Sequence, residues 1–149
     1  MSPIPISNPE SRSVRIADAN IVVGMVAGLT DAQWGVVGPA LVEAEALEQP
    51  VVVPEGSLVE AEWVLRRRYG LARREIAGML QSLLDSTAFE AWDPPLVTLA
   101  LRVMTEDPRL DLADCLLVAR DVLGEGAVLT LDKLLARTIV AAHGVARGQ

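Results

Sequence analysis

The strongest constraint on what this chain can fold into is the way short aliphatic runs pass directly into helical stretches. Val51-Val52-Val53 lies between Pro50 and Pro54, and β-branched residues bounded by prolines read as a short buried strand. A helical pattern then follows at once, with Leu58, Ala61, Val64 and Leu65 on one face. Val14 to Ala17 similarly ends at Asp18 before an apolar helical stretch from Asn20 to about Leu29, and Ala127 to Leu131 reads as a strand that delivers Asp132 to a last helix from about Lys133. Strands alternating with helices imply parallel pairing with helices on both faces. The expected fold is therefore a three-layer α/β/α sandwich around a central, mainly parallel sheet.

The remaining segments read as helices. Val36, Val37, Ala40, Leu41, Ala44 and Leu47 recur at helical spacing between Asp31 and Glu48, although Gly35, Gly38 and Pro39 interrupt the first turns. Ser57 stands three residues before Glu60, the spacing of a capping box, and Gly70 stops that helix. Arg73 to Leu84 and Pro94 to Met104 predict a helical hairpin, the second helix started by Asp93 with prolines in its first turn. The link from Thr87 to Trp92 alternates well enough for a short edge strand. Asp111 to Leu123 predicts a further helix, ended by Gly124 and Gly126. At 149 residues, one domain from 14 to 149 is expected. Residues 1–13, with Pro3, Pro5 and Pro9, read as a flexible N-terminal arm.

Composition narrows the chemistry. The lone Cys115 excludes a disulfide within the chain, and a single His143 leaves no His-based metal cluster and no Ser/His/Asp relay. Aromatic residues are 3 % of the chain, which argues against the stacked-aromatic platforms that single-strand-binding modules use to hold bases. No GK[ST] loop occurs, and Gly124-Glu125-Gly126 is too sparse for a dinucleotide loop. The longest apolar run, Ile21 to Leu29, is far shorter than the ~20 residues of a membrane span. No membrane association and a reducing, cytoplasmic setting are expected. The formal charge is −7, yet Arg66, Arg67, Arg68, Arg73 and Arg74 form a stripe without an acid. Arginine's planar fork suits phosphate.

What remains for chemistry is carboxylates. In a parallel sheet the ligand crevice lies at the carboxyl ends of the strands. Asp18 and Asp132 follow expected strands, while Glu60 and Asp114 fall in first helical turns. Carboxylates brought together repel, by on the order of 4 kcal/mol for a pair at 4 Å and an effective dielectric of ~20. A hard divalent cation with oxygen ligands, Mg²⁺ or Mn²⁺, relieves that. Each acid also fits a structural role: Glu60 closing a capping box with Ser57, Asp114 with Asp111, Asp132 as an N-cap and Asp18 in a turn. Spacing alone does not decide between Glu60 and Glu62, or between Asp111 and Asp114. The arginines equally suit the solvated carboxyl end of a helix.

Four blocks in order carry a resemblance: Ile16-Ala17-Asp18-Ala19-Asn20, the run from Val59 to Gly70 (VEAEWVLRRRYG), Asp111-Leu112-Ala113-Asp114-Cys115-Leu116, and Leu129-Thr130-Leu131-Asp132-Lys133. The series resembles the PIN-domain family, in particular the VapC-type ribonuclease toxins of bacterial toxin–antitoxin pairs, over about Val14 to Val145. The family's acids fall on Asp18, Glu60, Asp114 and Asp132, with Asn20 and Thr130 as supporting polar residues. Ala19 departs from the family's usual Thr, and the arm before Val14 is longer than usual.

The resemblance implies a Mg²⁺- or Mn²⁺-dependent endoribonuclease, the toxin of a VapBC-type pair, leaving 3′-hydroxyl and 5′-phosphate ends. Asp18, Glu60, Asp114 and Asp132 would hold the metal, with Asp18 and Asp114 as principal ligands. Arg66, Arg67, Arg68, Arg73 and Arg74 would meet RNA or a partner. A homodimer and a cognate antitoxin are implied as partners, and the leucines of the expected hairpin offer a groove for the latter. The alternatives are a noncatalytic PIN-like binding or regulatory domain, and another Mg²⁺-dependent α/β phosphohydrolase.

Overall fold

The computed structural model describes residues 14–146 and 148; the N-terminal arm lies outside the described residues. Seven helices and one two-stranded parallel sheet make up the described chain. In order these are α1 (Ala19–Ala27), α2 (Asp31–Ala46), β1 (Val51–Val53), α3 (Glu55–Arg67), α4 (Arg73–Asp85), β2 (Phe89–Ala91), α5 (Pro94–Glu106), α6 (Leu112–Val122) and α7 (Lys133–Ala146).

This overturns the expected three-layer sandwich. The chain is mostly helical, 66 % helix, and has no central multi-stranded sheet among the described residues. β1 pairs β2 in parallel register, Val51 with Phe89 and Val53 with Ala91. The expected first strand, Val14 to Ala17, contributes a single bridge, Ile16 to Val52, on the other edge of β1. Val52 N donates to Arg15 O and Ala17 N to Val52 O, both at 2.8 Å. The expected strand from Ala127 to Leu131 does not form, and Leu129 and Leu131 are fully exposed, at 99 % and 102 %. Its backbone donors are partly taken by side chains instead: Val128 N donates to Asp121 Oδ2 and Asp132 N to Thr130 Oγ1, each at 2.9 Å. A strand exists only through pairing with a neighbour, and here side chains compete for that backbone.

Helix ends follow from local chemistry. α2 opens with a full capping box in which Thr30 Oγ1 accepts from Gln33 N and Gln33 Oε1 accepts from Thr30 N. Asp93 caps α5 through Leu96 N, with Pro94 and Pro95 in the first turn where their missing N–H groups cost nothing. The capping box expected from Ser57 and Glu60 is absent, because α3 already begins at Glu55 after Pro54. Ser57 Oγ donates to Ala17 O at 2.7 Å instead and ties α3 to the segment leading into α1. Gly124, at φ +79°, supplies the left-handed residue that ends the α6 region.

One core joins all these elements. Phe89 on β2, Val53 on β1, Leu58 and Leu65 on α3, Leu80 on α4 and Leu112 on α6 are all buried in it. α4 and α5 pack against each other, as the expected hairpin requires, and α5 packs on α6. Leu80, Leu96 and Leu101 are core, and Leu83, Leu84 and Leu99 are half-buried against it. Leu80, Leu96 and Leu101 are thus taken up by the core, while Leu83 lines an open hollow with Met25, Val26, Met79 and Phe89. Among the described residues no single helix is long and apolar enough to cross a membrane; α1 and α2 reach that composition only jointly, across a 107° bend.

Candidate acidic site

Three acids, Asp111, Asp114 and Asp132, stand at the starts of α6 and α7, helices that pack against each other. Asp111 is the N-cap of α6, and its Oδ1 accepts the backbone N–H of Asp114 at 2.9 Å. Capping explains why both acids sit on the first turn, where unpaired N–H groups and the helix dipole favour negative charge. Asp114 is half-buried. Burial first, then the charges of Asp111 and Asp132 and a side-chain hydrogen bond with Asp111, push its carboxyl above the usual range, while Arg73 pulls the other way. Asp132 reaches this neighbourhood from the start of α7, where its Oδ1 accepts from Leu134 N at 2.9 Å and Leu135 N at 3.1 Å. Thr130 holds the backbone of Asp132 through the bond already described.

Beneath this surface lies Cys115, a buried thiol pushed up to about 12 by burial and by the charges of Asp111, Asp114, Asp107 and Glu62. Such a thiol stays protonated and is not a nucleophile. Glu62 faces inward with Leu58, Ala61 and Leu65 and is 2 % exposed. Arg66 Nε lies 3.0 Å from its Oε1 and Arg73 Nε 4.0 Å away, so the buried carboxylate is compensated as a buried charge must be.

Asp18 and Glu60 stand differently. Asp18 is exposed at the N-cap of α1 and accepts from Ile21 N at 3.1 Å, with Asn20 exposed beside it. Glu60 is exposed on the outward face of α3. Among the described residues no three Asp, Glu, His or Cys side chains lie close enough together to hold a metal ion. The expected quartet is thus not preassembled: Asp114 and Asp132 are electrostatic neighbours, and Asp18 and Glu60 complete no coordinating group with them. The arrangement does not fit a ready-made cation site.

The arginine stripe is divided. Arg66 and Arg73 turn toward Glu62, and Arg74 Nε donates to Thr105 O at 3.0 Å. Arg67 lies over the ring of Trp63 instead, 6.0 Å from its centroid. Spacing left Glu60 and Glu62 undecided, and the structure turns Glu62 inward on the face of Leu58 and Leu65 while Glu60 faces out. A second acidic contact had no sequence signal: His143 Nε2 and Asp121 Oδ1 are 2.7 Å apart, joining α7 to α6 across 22 residues.

No protein-family model, no curated protein and no solved structure matches the chain.

Proposed function

We propose that this protein is an endoribonuclease that hydrolyses RNA phosphodiester bonds, similar to the VapC-type toxins. The observation that carries the reading is the pair Asp111 and Asp114 on the first turn of α6, with the charge of Asp132 acting on Asp114, contributed by two of the four blocks that resemble the PIN family. In this reading a carboxylate of the group takes a proton from the attacking water as general base; the water oxygen bonds to phosphorus as the bond to the 3′-oxygen breaks, and that oxygen takes a proton from solvent, leaving 3′-hydroxyl and 5′-phosphate ends.

Dependence on Mg²⁺ or Mn²⁺ belongs to the proposal, since hard cations pair with carboxylate oxygens. Asp18, Glu60, Asp114 and Asp132 remain the proposed ligands. Homodimerisation, inhibition by a cognate antitoxin and a cytoplasmic setting come with the resemblance and stand as proposals beside it.

A second reading is favoured by one observation, the lack of a preassembled cation site: a noncatalytic domain that binds RNA or protein. Incubation of total RNA with the wild type, Asp18→Asn and Asp114→Asn, in Mg²⁺ and in EDTA, separates the two. The nuclease reading expects cleavage by the wild type in Mg²⁺ alone and its loss in both variants. Equal outcomes in all three proteins favour the binding module.

A further inference from the structure

Trp63 is 50 % exposed on α3; Trp34 and Trp92 are exposed too, at 44 % and 59 %, but among the described residues Trp63 alone has a cation over its ring. Half an indole in water gives up burial of the apolar area that usually makes Trp a core or interface residue. Its ring is covered instead by the Arg67 guanidinium, one helical turn later. The helix dipole accounts for arginines near the carboxyl end of α3; it does not account for an exposed ring beneath one of them.

Charge is also left over at this point. Of the five arginines in the stripe, Arg66 and Arg73 face Glu62, and Arg74 is bonded to the Thr105 carbonyl. Arg67 and Arg68 are exposed and make no ion pair among the described residues. Glu60 shares the outward face of α3 with Trp63 and Arg67, about 10 Å from Arg67 along the axis at 1.5 Å per residue.

We propose that the outward face of α3 is a single-stranded RNA subsite, in which a nucleobase stacks on the Trp63 indole and Arg67, with Arg68 beside it, takes the adjoining phosphate. The inference rests on the ribonuclease reading for the choice of RNA and adds to it the surface that holds the strand. Indole and guanidinium planes both stack on bases; Arg68, and Arg67 once a base takes its place over the Trp63 ring, answer the phosphates on a chain of net charge −7. Two exposed arginines without a carboxylate partner beside an exposed ring match the alternation of phosphate and base along a single strand. Stacking at Trp63 is tolerant of base identity, so the subsite supplies affinity and register rather than sequence choice.

The test is fluorescence anisotropy of the full chain carrying Asp114→Asn, in EDTA, with a labelled eight-nucleotide single-stranded RNA and an abasic analogue of equal phosphate number. The expected result is that Trp63→Ala weakens binding of the base-bearing strand by about 10-fold or more and leaves the abasic strand unchanged. Trp63→Phe holds within about 3-fold, Arg67→Ala weakens both strands, and Trp34→Ala alters neither. Circular dichroism and the unfolding midpoint confirm that each variant is folded. The proposal is overturned if the two strands bind alike, if Trp63→Ala binds as the parent does, or if the parent binds neither strand, the outcome expected of a protein-docking face. Binding is read apart from cleavage. RNA cleavage with normal binding by Trp63→Ala removes this subsite alone, whereas base-dependent binding without cleavage by the wild type removes the nuclease reading alone.

Discussion

Asp111 caps the first turn of α6 by accepting the Asp114 N–H on its Oδ1 at 2.9 Å. That bond brings the two acids together, and partial burial first, then the charges of Asp111 and Asp132, raise the Asp114 carboxyl. Folding thus places a charge at Asp114 where burial and two like charges oppose it.

That opposition has a sign. The folded-state pKa of Asp114 lies above its ordinary value of 3.8, so the unfolded chain loses this proton more readily than the folded one. Stability from this group is fully present below pH 3.8 and falls as pH rises through the raised pKa. Asp114→Asn is expected to raise the unfolding midpoint at pH 7 by up to about 2 °C, the scale of a sub-kcal electrostatic change in a chain of this length. The gain should vanish near pH 3, as read by thermal melts across pH. A midpoint lowered by the substitution at pH 7 would show that the ionised carboxylate stabilises the fold.

Asp121 behaves in the opposite sense. The Val128 N–H first, and His143 second, hold its carboxyl below the ordinary range. Its contribution is present above pH 3.8 and is lost as pH falls through the lowered folded value. Asp121→Asn should therefore shrink the stability gap between pH 6 and pH 3 relative to wild type in urea titrations, and an unchanged gap would count against the contact.

Glu62 tests the buried ion group. Removing the nearer partner leaves a buried carboxylate with only Arg73, 4.0 Å away. Arg66→Met is expected to cost about 2–4 kcal/mol in urea unfolding. The double variant Glu62→Met with Arg66→Met should cost less than the sum of the singles. Strict additivity would mean that the two residues do not interact.

The correction to the fold is testable at two leucine-sized positions. Phe89 is 1 % exposed on β2, and Phe89→Ala should cost about 3–5 kcal/mol. Leu129 lies in the segment expected from its sequence to be a strand, yet Leu129→Ala should change stability by no more than about 0.5 kcal/mol. A cost of 2 kcal/mol or more at Leu129 would restore a buried strand there.

These residues also show what the sequence made legible. Val51–Val53 was readable because prolines bound it on both sides, and α5 because Asp93 precedes two prolines. The helices around Arg73, Asp111 and Lys133 were readable from period and caps. Ala127 to Leu131 was not, since β-propensity reports fitness for a pleated, half-buried surface and not whether a neighbouring strand exists to pair with. The central sheet failed for the same reason: aliphatic runs of three to five residues are satisfied equally by one bridge, as at Ile16, or by none. At the site, the order of the acidic blocks was visible, whereas their convergence is a tertiary property. The charge of Asp132 reaches Asp114 because α6 and α7 pack together, and Glu62 turns inward because its helix face does.

The most direct test is single-turnover cleavage of a defined RNA with end-group mapping, comparing wild type, Asp111→Asn and Asp114→Asn. The wild type is expected to give 5′-phosphate and 3′-hydroxyl products, and each variant a rate at least about 100-fold lower, the scale of general acid–base catalysis. Cleavage at the wild-type rate by both variants, or none by any protein in Mg²⁺ or Mn²⁺, would contradict the ribonuclease reading.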